Sequence, residues 1–308
     1  MNASTAPTTK VSLEQRRLRR LASFQPYLYV LPAVLFVAAF LLYPMVYTLW
    51  QGFTDSNGLT APNFVGFANY SQLFGNANFL LSLKNTLIWV VASVALPVAL
   101  GLVMALSLEK LPGAALFKSA LYLPVTFSAA AAGILFTFIF DPGNGVLNVL
   151  FRVLGLSQLG SSRWLYDSPL NTFSMIAAYT WQSTGFNLMI FLIGLQSLPQ
   201  EPLEAAKLDG AAGWNFTRLI TLPMMRPYVT IAAISAAING FKAFDLIWVM
   251  TQGGPGRSSE TLAVTMYREG FILFHQGYSS AIAVIISLIA LVFSYLYLRN
   301  ILDRESHA

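Results

Sequence analysis

Residues 279–298 read SSAIAVIISLIALVFSYLYL, with no charge, proline or glycine. A helix rises about 1.5 Å per residue, so about 20 such residues cross a hydrocarbon core roughly 30 Å thick. Five further segments of comparable apolarity lie upstream, at about 27–50, 80–108, 118–140, 171–198 and 228–250, each interrupted by Pro, Gly or isolated polar residues. The expected fold is all-α, a polytopic membrane protein with six transmembrane helices. Composition agrees. Of 308 residues 56% are hydrophobic and 10% charged, whereas a soluble domain carries about 25% charged residues. So few charges do not cover the surface of a soluble fold of this size.

Several function classes drop out. The chain has no cysteine, which removes a disulfide framework, an iron–sulfur cluster and a thiolate zinc site. Its two histidines, His275 and His307, lie far apart without a ligand cluster, so no metal is expected. The net charge of +5 matters less than its distribution, and no nucleic-acid partner is expected. Arg16, Arg17, Arg19 and Arg20 crowd before the first apolar run, as a juxtamembrane anchor toward membrane lipid does. With Leu13, Leu18, Leu21 and Phe24 they form either a surface amphipathic helix or a disordered basic tail. The run from Tyr27 to Trp50 is too long for a signal-peptide core and is expected to stay as a span.

Basic residues also orient the chain. Lys84, Arg152, Arg163, Arg257 and Arg268 fall on one side, Lys242 falls within a span, and the remaining Lys and Arg of the eighteen fall on the other. The positive-inside rule makes that richer side cytoplasmic and puts both termini there. The expected organisation is a cytoplasmic tail over 1–25, a six-helix domain over 26–300, and a cytoplasmic tail over 301–308. The loops at about 51–79, 141–170 and 251–278 then lie outside. They are rich in turn-forming residues such as Asp141-Pro142-Gly143-Asn144-Gly145 and Gly253-Gly254-Pro255-Gly256.

One polar stretch, 196–227, must stay inside. Pro202 suits the first turn of a helix, and Glu201 and Glu204 suit its positive N-terminal end. Ala205 and Ala206 favour helix and leave a smooth surface, and Gly210 can take the left-handed conformation that ends it. A second helix is expected from about Trp214 to Leu222-Pro223. A short helix with an acidic tip on the cytoplasmic face is either a docking peg or an ordinary connector.

Glu204-Ala205-Ala206, Asp209-Gly210-Ala211, Phe216, Ile220, Leu222-Pro223 and Pro227 resemble the cytoplasmic EAA loop of binding-protein-dependent ABC importer permeases. The stretch Asn239–Pro255, followed by Glu260-Thr261-Leu262, is similar to the fifth helix of the carbohydrate-uptake branch of MalF/UgpA type. The resemblance spans the six-helix chain. It implies that Glu204, Ala205, Ala206, Asp209 and Gly210 form a coupling helix seated in a cleft of an ATP-binding subunit. It also implies a second homologous permease subunit, two ATP-binding subunits, an extracytoplasmic solute-binding protein, and residence in the bacterial inner membrane.

The chain carries no phosphate-binding loop of its own. Its only Lys followed by Ser or Thr, Lys118-Ser119, is preceded by Phe117 where a cradling glycine is required. No cofactor is therefore expected in this chain, and ATP with Mg is hydrolysed by the partner subunits. The chain itself is not an enzyme.

The solute path is expected where polar residues sit at membrane depth. Lys242 and Asp245 are three apart and read as one helical face on which they pair. Such a pair either holds the helix to a neighbour or lines a cavity with Asn239, Phe241 and Phe244, where Gly240 loosens the helix. Tyr179, Gln182, Ser183 and Asn187 add to this wall from the fourth span, the alternative for Tyr179 or Trp181 being an interfacial aromatic belt. Aromatic faces and amides together suit sugars. The solute class is a di- or oligosaccharide, a polyol or a glycerol phosphate. The competing readings are an ion-coupled secondary transporter, which would show inverted broken helices, and a membrane enzyme, which would need a catalytic cluster in the spans.

Overall fold

The computed structural model describes residues 27–305 apart from Lys110, Pro112 and Ala114. The arginines at 16–20 and His307 lie outside the described residues. The chain divides into two units at Trp50/Gln51. The described part of the first is one helix, α1 (Tyr27–Gln51, its last residue already in the second unit), widened by a π turn at Ala38–Leu42. Tyr43 stacks on Tyr47, and Tyr47 in turn meets Trp50.

The second unit is all-helical apart from an isolated bridge between Thr54 and Phe64. It begins with α2 (Ala68–Gly75) and α3 (Ala77–Leu108). Asn76 starts α3 by accepting from the N–H groups of Asn78 and Phe79, the side-chain cap that such a terminus needs. Next come α4 (Ala115–Tyr122), α5 (Ala129–Ile139), α6 (Val146–Val153) and α7 (Leu170–Gln196). They are followed by α8 (Gln200–Leu208), α9 (Gly213–Met224), α10 (Arg226–Phe241) and α11 (Asp245–Thr251). The chain closes with α12 (Leu262–Tyr267) and α13 (Gln276–Glu305).

Three of these helices, α1, α3 and α13, are individually long and apolar enough to cross a membrane. Two bent pairs, α4 with α5 and α9 with α10, reach that standard together. The sixth expected segment is α7, a single helix of 27 residues. It is long enough to cross, but its buried face carries Asn171, Thr172, Ser174, Thr180, Thr184 and Asn187.

Two expected spans are not continuous. The segment 118–140 turns by 99° between α4 and α5. Pro124, without an N–H, ends the first helix in a 3-10 turn, and Ser128 caps the second by accepting from Ala131 N–H at 3.1 Å. The segment 228–250 starts early, at Arg226, after a 67° elbow at Met225. It then breaks at Lys242–Phe244 before α11 begins. Apolar composition is blind to both breaks.

The unit packs around α3, α7 and α10. At the Gln196 end of α7, Leu188, Phe191, Leu192 and Leu195 meet Ala105, Met225, Ala232 and Ala236. At the Asn171 end, Trp89, Met175, Ile176, Leu246, Ile247 and Val264 form a second cluster. Lipid competes well for apolar side chains, so helices in it associate through small residues and close packing. Gly101 shows this. A Cβ there would stand 2.8 Å from Asn187 Cβ and from the Leu188 nitrogen. The surface is apolar instead of charged, with Val91, Val103, Phe173 and Ile193 exposed, while Ser82, Asn85, Thr86 and Asn187 are buried. Buried hydroxyls on α7 bond one turn back, Thr180 to the Ile176 carbonyl and Thr184 to that of Thr180, so no polar atom of theirs needs water.

Candidate functional site: a central cavity and an exposed terminal helix

A cavity of about 360 Å³ lies between α3, α5, α7, α10 and the break after α10. Tyr179, Gln182, Ser183 and Asn187 line it from α7, and Asn239, Lys242 and Asp245 line it from the other side. The ring of Phe244 and the indole of Trp89 complete the aromatic part of the wall. Tyr179 meets Trp89 edge to face at 5.6 Å. The wall thus offers amides, hydroxyls, one cation, one carboxylate and ring faces, the mixture that holds a polyhydroxylated molecule.

Seven of the eight pathway residues expected from sequence converge here. The eighth, Phe241, does not. It is buried against Val90 and Ala237, with its ring on Phe293 at 6.1 Å. Trp181 also stays off the cavity and meets Phe127 and Phe136. The expected Lys242–Asp245 pair is not formed, since among the described residues no ion pair within 4 Å joins them. They do not share a helical face, because α10 ends at Phe241 and α11 starts at Asp245. Gly240 does not loosen the helix either. It permits a close approach, for a Cβ there would lie 2.9 Å from Val90 Cα.

Gln182 has a second task. Its Nε2 donates to the Phe127 carbonyl at 2.8 Å, in the gap between α4 and α5 where no helical N–H is available. Asn187 donates to the Ser183 carbonyl at 3.0 Å. Both amides keep their oxygen as an acceptor.

Beyond the Gln196 end of the bundle stands α8. Glu204, Ala205 and Lys207 are exposed, and Leu208 is 89% exposed. Only Ala206 is buried, and Leu203 packs toward the core. The helix ends in a paired closure: Gly210 N–H donates to the Lys207 carbonyl at 3.1 Å and Ala211 N–H to that of Ala206 at 3.0 Å. This is the Schellman arrangement, which requires a left-handed residue at the turn. Gly210 supplies it with φ +87°. Asp209 is the last, half-helical residue before the turn. The short helix, its stop and the second helix after it agree with expectation, except that α9 runs through Leu222-Pro223 to Met224.

An inside-out bundle, a polar cavity at a broken helix and a free-standing terminal helix are thus joined in one chain. Residues 97–306 match the model of the binding-protein-dependent transport system inner membrane component. The chain belongs to that family. This transport component is 37% identical over 274 residues to a probable ABC transporter permease of Pyrococcus horikoshii, covering 88% of this chain and 94% of the relative. It is 30% identical over 286 residues to the lactose transport system permease LacF of Rhizobium radiobacter, covering 91% and 94%. Its fold matches a chain in the crystal structure of a bacterial alginate ABC transporter in complex with an alginate pentasaccharide-bound periplasmic protein. The TM-score is 0.79 at 21% identity, over 92% of this chain and 94% of that one.

Some site residues of this transport component are not evident from its sequence. Trp89 is fully buried in an apolar stretch and resembles any core tryptophan, yet it borders the cavity. More consequential is a strap over residues 252–262 at the Asn171 end. Asn85 Nδ2 donates to the carbonyls of Ser258 and Glu260, at 2.8 and 2.9 Å, and Asn171 Nδ2 to Gly254 O and Ser258 Oγ. Glu260, with no exposure, accepts from Arg257 Nε at 2.9 Å, Arg268 Nε at 2.6 Å and Thr265 Oγ1 at 2.9 Å. Arg257 reaches Glu269, which also meets His275 Nδ1 at 3.0 Å. Burial pulls the Arg257 guanidinium down, and its bonds and charge contacts to Glu260 and Glu269 outweigh that and hold it above its ordinary value. The available signal was opposite charges clustered in a Gly-rich loop.

Proposed function

We propose that this chain is one of two homologous membrane-spanning subunits of a bacterial ATP-driven importer for sugars or sugar-like solutes. It crosses the inner membrane six times with both termini in the cytoplasm. A solute-binding protein delivers cargo at the Asn171 end. At the Gln196 end α8 seats in a cleft of an ATP-binding subunit, where Mg-ATP is bound and hydrolysed by the partner pair. Closure of that pair pushes α8, and access to the cavity switches from one side to the other. The solute rests against Tyr179, Gln182, Ser183, Asn187, Asn239, Lys242 and Asp245.

The observation that carries this reading is α8 itself. Exposed small and acidic residues are held rigid by a glycine closure at one end of an apolar bundle, a shape suited to a protein socket. The sugar class is supported by the amide and ring composition of the cavity and by a lactose permease among the relatives. The test is uptake of a panel of labelled sugars by vesicles holding the full complex. ATP-dependent uptake that requires the binding protein is expected. Solute movement by this chain alone under an ion gradient would move it to the secondary transporters.

A further inference from the structure

The break after α10 leaves a carbonyl without a helical partner. Lys242 N–H and Ala243 N–H still bond back to Ile238 and Gly240, and the next helical bond runs from Trp248 N–H to the Phe244 carbonyl. Among the described residues, no backbone N–H takes the Ala243 carbonyl. Thr261 does so instead, its hydroxyl donating at 2.7 Å from 18 residues away. Thr261 is fully buried and stands at the N-terminal cap of α12. A threonine there ordinarily accepts from a first-turn N–H. Here it makes no such bond.

Thr261 is itself held from both sides. Asn85 grips the Glu260 carbonyl, and Leu262 N–H donates to Thr86 Oγ1 at 2.9 Å. The Glu260 carboxylate is fixed by Arg257, Arg268 and Thr265. The residue that meets the break is therefore anchored to α3 and to the strap and cannot follow α10 if that helix straightens.

We propose that Thr261 is a positioning residue of the solute cavity. Through its bond to the Ala243 carbonyl it holds open the break that turns Lys242 and Asp245 to the cavity wall. A continuous helix through 242–245 would place these two residues on one face, where they would pair with each other. With the break maintained they stand apart and both remain available to a ligand. This inference rests on the cavity being the solute site, and it extends that reading to a residue that does not line it.

The chain has no cysteine, so Asp245→Cys introduces a single thiol for a polar maleimide. The measurement is its labelling rate in vesicles containing the assembled transporter, with Thr261, Thr261→Val and Thr261→Ser compared at equal membrane abundance. Losing the donor to this partly buried carbonyl should change the rate about tenfold in Thr261→Val, and Thr261→Ser should restore it. An unchanged rate in Thr261→Val, or an equal change in both variants, overturns the proposal. If Thr261→Val does not accumulate, Thr261→Ala is read in its place. Accumulation of Thr261→Ser alone would assign the hydroxyl to folding and also overturn it. Labelling needs no transported solute, so failure of the sugar reading, seen as absent ATP-dependent uptake, is separable from failure here.

Discussion

Gln182 on α7 closes the gap between α4 and α5, its amide nitrogen 2.8 Å from the Phe127 carbonyl. A side chain from one helix thus takes the place of a helical N–H in the gap between two others. In hydrocarbon a bare carbonyl has no water to turn to, so broken helices persist only where protein replaces the missing donor.

Replacing that donor is the first prediction. Gln182→Leu should lower thermal stability in detergent by about 1 kcal/mol, the net contribution of one hydrogen bond at a carbonyl that stays exposed. Gln182→Glu loses the same donor and adds a charge, and should be worse. A melting curve for Gln182→Leu that matches the parent would show that the bond contributes nothing.

For the α8 socket, Glu204→Lys should abolish uptake while leaving membrane abundance intact. Gly210→Pro should act similarly, because the left-handed turn at φ +87° is closed to proline, whose φ is locked near −65°. Co-purification of the ATP-binding subunits with each variant reads the contact directly. Full uptake and full co-purification in both would place the coupling elsewhere.

Cavity residues make a different prediction. Asn239→Ala and Lys242→Ala should change the rate or selectivity of uptake, each by about tenfold where a hydrogen bond to solute is lost. Co-purification of the ATP-binding subunits should be unaffected. Uptake of a sugar panel separates these variants from the α8 variants, and wild-type profiles for both would put the path outside this cavity.

Glu260→Ala is expected to be the most damaging single change at the Asn171 end. It takes from Arg257 and Arg268, each about three-quarters buried, a carboxylate that both contact, and leaves Arg257 only its pair with Glu269. Breaking a buried pair costs about 3–5 kcal/mol, and the partial exposure of the arginines puts the expected loss at or below the lower figure. Glu260→Gln keeps an acceptor and should retain part of the stability. The comparison of melting temperatures settles the order.

How much of this was legible depended on distance along the chain. The α8 segment was readable because its determinants are local: Pro202 in the first turn, Ala205 and Ala206 within it, and Gly210 two residues past its end. The cavity-lining residues of α7 were readable because amides at membrane depth must face protein or water. The breaks were not readable in that way. Pro124 was a visible warning, but Gln182 and Thr261, which satisfy the carbonyls of Phe127 and Ala243, lie 55 and 18 residues away. The mistaken Lys242–Asp245 pair came from assuming helical periodicity across a segment where α10 has ended and α11 has not begun. Phe241 was misplaced for the same reason, since it belongs to the last regular turn before that interruption.

The elbow at Met225 carries a mechanical consequence. Met225 has no exposure, and the neighbouring Tyr228 ring lies where a Cβ on Gly194 would come within 2.6 Å of it, so the corner is pinned while the two arms leave it at 67°. A pinned corner with rigid arms is a bell crank: a shove along α9 emerges as a swing of α10 in another direction. The far end of that second arm is the site of Asn239 and Lys242. Under the proposed function, a few ångströms of travel at α8 would reach the cavity as rotation, with its throw set by the lengths of the two helices.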